Sequence, residues 1–133
     1  MNGETRVTIK ADVDILTARQ KGRALAQEIG FSNSSLTLIA TAISELTRNI
    51  LLYARSGELI LSQVQEDGLQ GILLIAKDSG PGIPDISRAM EVGYSTSGSL
   101  GLGLPGVRRL MDEFQIVSAA GKGTTVTARK WKR

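Results

Sequence analysis

A chain of 133 residues with 41% hydrophobic and 22% charged residues has the size of one domain, residues 1–133, with a core and room for a ligand cleft. It holds no cysteine and no histidine, which excludes disulfides, thiolate nucleophiles, cysteine-ligated metals, phospho-histidine and the commonest general base. The formal charge of +3 comes from 16 basic and 13 acidic residues, but Arg129, Lys130, Lys132 and Arg133 carry four of the positives and leave 12 against 13, or −1, for the rest. No nucleic-acid surface is expected, and the basic end reads as a solvated tail or an edge strand.

Aromatic residues make up 4% of the chain, so aliphatic side chains must fill the interior. No apolar run approaches the ~20 residues of a membrane span, and the start, MNGETRVTIK, lacks a signal-type apolar region. The expectation is a cytoplasmic protein with no membrane contact.

Thr5–Ala11 alternates as a first strand. Asp14–Ile29 carries Ile15, Ala18, Leu25, Ala26 and Ile29 at helical spacing, and Gly30 suits the stop. Ser32–Ser35 offers caps for a longer helix running to about Tyr53. Beyond Gly57, the runs Glu58–Val64 and Ile72–Lys77 read as a hairpin around the polar turn Gln65–Gly71. Asp85–Val92 suits a short helix and Gly93–Gly101 a mobile loop. Pro105 introduces a helix over Gly106–Glu113, and Phe114–Ala119 with Thr124–Trp131 makes a closing hairpin around Gly121–Gly123. The pattern predicts an α/β sandwich, with helices packed on one face of a mixed, mostly antiparallel sheet.

Four short segments carry candidate chemistry. On the second helix, Ile39, Ala42, Ile43, Leu46, Ile50 and Tyr53 form one core stripe, and Glu45 and Asn49 stack one turn apart on its flank. A carboxylate and a carboxamide there could hold a hydrated Mg²⁺ and accept a proton, although solvated helix positions show the same spacing. "DSGPG" sets Asp78 ahead of Gly80 and Gly82, whose backbone could approach a ligand, with Asp78 accepting from an exocyclic amine. A tight turn with a capping acid reads the same way. "GLGLPG" supplies Gly101, Gly103 and Gly106 near a helix start, a seat for polyphosphate. It lacks the flanking strands of a dinucleotide fold and the companion motifs of a protein-kinase glycine loop. "GKGTT" closes the set with small residues and hydroxyls in a late turn.

In this order, E45xxxN49, D78xGxG82, G101xGxxG106 and G121xGT124 resemble the boxes of the Bergerat-fold (GHKL) ATPases, the superfamily of gyrase, histidine kinases and MutL. "ISELTRNI", "DSGPGIPDI", "GYSTSG" and "GLPGVRRLMDEF" look most like the RsbT-type serine/threonine switch kinases of the stressosome and anti-sigma-factor branch. The resemblance implies an ATP- and Mg²⁺-dependent kinase for a serine or threonine of a STAS-domain partner, a stressosome scaffold or antagonist. A downstream regulator such as a metal-dependent phosphatase is the second implied partner. A non-catalytic, nucleotide-gated binding module is the alternative.

Carried over by residue, the resemblance implies Asp78 for the adenine amine, Asn49 for Mg²⁺ and Glu45 as base or water-orienting group. It implies Gly80 and Gly82 as room for the nucleotide, and Gly101, Gly103 and Gly106 along the phosphates, with Ile83 and Leu102 among the nucleotide contacts. Thr124 falls behind the adenine and Tyr94–Leu100 in a lid. Two departures stand out. Leu52 occupies the position of the lysine usual in histidine kinases, and Ser99–Leu100 that of a basic residue in anti-sigma kinases. Arg48 is therefore the candidate cation for the γ-phosphate, with Arg108 or Arg109 behind it. The exposed sheet face and the first helix are left as surfaces that could form a homodimer or dock a partner.

Overall fold

The computed structural model describes residues 4–82, 90 and 103–133. Local capping sets the first boundaries. Asp14 Oδ2 accepts the backbone N–H groups of Lys10 (2.8 Å) and Ala11 (3.0 Å), which withdraws both from strand pairing. Strand β1 (Thr5–Ile9) therefore stops two residues short of the expected Ala11, and helix α1 (Asp12–Ile29) starts two residues before the expected Asp14. Gly30, at φ +104, ends α1. Ser32 then accepts from the N–H of Ser35 and caps helix α2 (Asn33–Ala54), as its serine cluster suggests. Arg55, at φ +70, ends α2 without the glycine usual there.

Strands β2 (Gly57–Glu66) and β3 (Leu69–Asp78) form a longer and tighter hairpin than expected. Only Asp67 (φ +51) and Gly68 (φ +81) lie between the paired ends Glu66 and Leu69. Two left-handed residues make the type I′ turn that matches strand twist, and Asp-Gly is one of its preferred sequences. Helix α3 (Gly103–Leu110) leads to β4 (Glu113–Ala119) and β5 (Gly123–Trp131). The expected helix over Gly106–Glu113 is thus displaced toward the N-terminus. Its end is fixed at Asp112, whose N–H donates to Arg129 O at 2.8 Å and whose Oδ2 accepts the Trp131 N–H at 2.7 Å. Of the helix expected over Asp85–Val92 only Met90 is described, and the loop expected at Gly93–Gly101 lies outside the described residues.

The strand order is β1-β2-β3-β5-β4, and every described pairing is antiparallel, in line with the mostly antiparallel sheet expected. Alternation sends Val7, Ile9, Leu59, Leu61, Ile72, Leu74, Ala76, Val126 and Ala128 to one face. Registers such as Leu59↔Ala76↔Val126 and Leu61↔Leu74↔Ala128 stack them in rows under the helices. There they join Leu36, Ile39, Ile43, Leu46 and Ile50 of α2 in one core. That stripe is the one the helical period marks out.

β5 is an interior strand that takes in Arg129–Trp131, so this part of the basic end is neither a solvated tail nor an edge, while Lys132 and Arg133 are exposed beyond it. Lys130 Nζ donates to Leu110 O at 2.9 Å, Arg129 pairs with Glu113 at 3.2 Å, and Trp131 Nε1 donates to Glu113 Oε2 at 2.7 Å. Among the described residues no helix is long and apolar enough to cross a membrane.

Candidate functional site

Asp78 closes β3 opposite Gly57 and is held by backbone on two sides. Its Oδ1 accepts the N–H of Gly80 at 3.0 Å and the N–H of Thr124 at 3.2 Å. Oδ2 has no hydrogen bond among the described residues. The last glycine segment fits because a Cβ at Gly123, where φ is +87, would overlap the Asp78 carbonyl oxygen. Glycine is thus what lets β5 press onto the lip of β3 and deliver the Thr124 N–H. A Cβ at Gly80 would lie 2.5 Å from Ala54 Cβ of α2, and one at Gly82 would strike Ala119 O of β4. The room at Gly80 and Gly82, expected for a ligand, is filled by the chain's own Ala54 and Ala119.

Between α2, β3, β5 and α3 lies a small cavity of about 20 Å³. Leu46, Ile50, Ala76, Leu104 and Val126 give it apolar walls, and Asn49, Asp78, Thr124 and Tyr53 its polar groups. Thr124 is buried, with its Oγ1 in a 2.8 Å hydrogen bond to Ser118 Oγ. Asn49 Nδ2 is buried with no hydrogen-bond partner among the described residues. An orphaned buried amide costs ~1–3 kcal/mol, which marks a group arranged for something other than stability.

The lining, apolar walls with Asp78 and Asn49 among them, offers the contacts that a heteroaromatic ring bearing an amine would use. The donor set also fits Mg²⁺ held jointly by protein and ligand. No group of three His, Cys, Asp or Glu side chains could hold a metal among the described residues. The Asn49 side-chain oxygen, water and phosphate oxygens would have to share such an ion, as Mg²⁺ commonly permits.

Glu45 is buried behind this cavity and does not line it. Its Oε1 accepts the N–H of Gly103 at 2.9 Å and its Oε2 accepts Arg48 Nη1 at 2.6 Å. Arg48, the candidate phosphate cation, thus spends its charge on Glu45, with its side chain 38% exposed. Gly106 is buried inside α3, while Arg108 and Arg109 are exposed on its last turn. Ile83, Gly101, Leu102 and the Tyr94–Leu100 lid lie outside the described residues. The structure therefore gathers Asn49, Asp78 and Thr124 at one cavity, with Glu45, Arg48 and Gly103 as a second cluster beside it.

Sequence reasoning did not single out Leu46, Ile50, Tyr53, Ala76, Leu104 and Val126 as cavity walls. Periodicity carries the signal for several of them: Leu46, Ile50 and Tyr53 share the helix stripe with the Asn49 flank, and Val126 lies on the Thr124 side of β5.

Among the described residues, three helices on an antiparallel sheet, with a carboxylate-lipped pocket at their seam, define an α/β sandwich. The model of the histidine kinase-, DNA gyrase B-, and HSP90-like ATPase family matches residues 35–133, and the chain belongs to that family. It is 54% identical over 133 residues, the full length of both chains, to the serine/threonine-protein kinase RsbT of Bacillus subtilis (strain 168). It is 32% identical over 120 residues to the anti-sigma F factor of Geobacillus stearothermophilus, covering 85% of this chain and 81% of that one. The crystal structure of the RsbU and RsbW domains of a Mycobacterium tuberculosis protein superposes with a TM-score of 0.65 at 22% identity. That match takes in 98% of this chain and spans 33% of the other, and it bears on the fold alone.

Proposed function

We propose that this chain is an ATP- and Mg²⁺-dependent serine/threonine protein kinase that phosphorylates a STAS-domain partner as a switch in a bacterial stress, sigma-factor pathway. It acts in the cytoplasm on a stressosome scaffold or antagonist and, once released, binds a downstream regulator such as a metal-dependent phosphatase. The observation that carries the reading is the meeting of Asp78 and Asn49 in one cavity, each with an atom left for a ligand. Full-length similarity to a serine/threonine-protein kinase supports the reaction class.

Asp78 Oδ2 accepts the adenine amine, which guanine, with a carbonyl at that position, cannot offer. Leu46, Ile50, Leu104 and Val126 exclude water around the ring. Asn49 Oδ1 would hold Mg²⁺, which would supply positive charge to offset that of the phosphate oxygens. Glu45 takes the proton of the partner's hydroxyl as that oxygen bonds to the γ-phosphorus; the bond to the bridging oxygen breaks and ADP leaves with the electron pair. Arg48 balances charge beside Glu45, and Gly103 and Gly106 keep the start of α3 slim near the phosphates.

The test is transfer of label from γ-labelled ATP to a purified STAS-domain partner. Labelled serine or threonine with the wild-type chain, and loss of label with Asn49→Ala, is the expected result. ATP binding with no transfer to any candidate partner would replace the kinase with a nucleotide-gated binding module.

A further inference from the structure

Glu45 is the one charged side chain buried among the described residues. Its partner across the fold is the N–H of Gly103, 58 positions away in sequence and the first residue of α3. That N–H is among the four that no carbonyl of the helix can take, at the positive end of the helix dipole. Phosphate oxygens bind such donors. The next residue, Leu104, already lines the cavity that holds Asn49 and Asp78. A carboxylate of the chain thus occupies, at 2.9 Å, a donor that a nucleotide phosphate in that cavity would use. One N–H aimed at Oε1 cannot serve a second anion at full strength, and two anions at one donor repel.

We propose that Glu45 is an exchangeable anchor for α3. Without nucleotide it holds the first turn of α3 through Gly103 N–H; on binding, a phosphate oxygen takes that N–H and Oε1 is released toward the substrate hydroxyl. Oε2 keeps Arg48 throughout, so the released carboxylate stays oriented. Only the acceptor of one hydrogen bond changes, and no covalent bond is made or broken. Seating the phosphates and freeing Glu45 become one event, which ties the proton acceptor to the presence of its nucleotide. The inference rests on the ATP reading of the cavity.

The experiment compares the wild-type chain with Glu45→Asp and Glu45→Gln. Aspartate keeps the charge but is one methylene too short to reach Gly103; glutamine keeps the reach and loses the charge. Amide hydrogen exchange and the ¹⁵N resonance of Gly103 are recorded without nucleotide and during titration with a non-hydrolysable ATP analogue and Mg²⁺. In Glu45→Asp without nucleotide, the Gly103 amide should lose protection about tenfold while the sheet amides keep theirs. The analogue should bind Glu45→Asp about fivefold more tightly than wild type, because no anchor has to be displaced.

Gly103 protection equal in Glu45→Asp and wild type would overturn the anchor. So would analogue binding that Glu45→Asp leaves unchanged or weakens. Tightening confined to Glu45→Gln would mean that charge repulsion alone separates Glu45 from the phosphates, and the exchange would fall. A wild-type chain that binds no analogue at all would instead overturn the ATP reading beneath it.

Discussion

Thr124 donates its backbone N–H to Asp78 Oδ1 at 3.2 Å across 46 positions of sequence. With the Gly80 N–H on the same oxygen at 3.0 Å, the carboxylate is aimed by the backbone of two strand ends. Asp78→Asn keeps an acceptor at Oδ1 and the side-chain shape, but puts an NH₂ donor where Oδ2 was. Stability should stay near wild type, while ATP affinity falls roughly 30-fold, the worth of a hydrogen bond to a charged group. Isothermal titration with Mg·ATP, beside urea denaturation, separates the two effects.

Asn49 gives the opposite combination. Its buried Nδ2 lacks a partner among the described residues, so the free protein carries the cost of that group. Asn49→Leu, of the same branched shape, should raise unfolding stability by ~1 kcal/mol. The same change removes the Mg²⁺ ligand and should lower phosphoryl transfer on the order of 10³-fold. A variant more stable and inactive is the expected outcome. Lower stability in urea would show that Asn49 is satisfied in solution.

Two glycines with similar left-handed backbone should respond very differently to alanine. Gly68, at φ +81, has nothing within 4 Å of a Cβ position, so Gly68→Ala should cost only the backbone term, about 1 kcal/mol. Gly123, at φ +87, abuts the Asp78 carbonyl. Gly123→Ala should cost about 3 kcal/mol or more and weaken nucleotide binding by moving the Asp78 lip. Urea midpoints report the first effect and titration the second.

What could be read in the sequence was what repeats locally. The stripe from Ile39 to Ile50 and the one-turn spacing of Glu45 and Asn49 follow from the helical period. The strands follow from alternation, yet the polar Gln65, Glu66 and Gln70 around the two-residue Asp67-Gly68 turn make the whole of Gln65–Gly71 look like a polar turn. Contacts made by closing long loops left no local trace. Glu45 meeting Gly103, and Gly123 pressed on Asp78, depend on strand order and register. The same blindness displaced α3, whose start is tied to α2 and whose end is drawn to β5 through Asp112. It also hid that the basic end begins in an interior strand, with Arg129 paired on both sides.

The most direct measurement of whether Asp78 reads an adenine in this cavity is the thermal unfolding of the wild-type chain and Asp78→Asn with Mg·ATP or Mg·GTP. At about a hundredfold excess over Kd, a ligand that binds only the native state adds ~2.7 kcal/mol of stability. The account predicts that shift for wild type with Mg·ATP, little with Mg·GTP at the same concentration, and its loss in Asp78→Asn. Equal protection by both nucleotides, or protection by Mg·ATP that Asp78→Asn leaves intact, would contradict it.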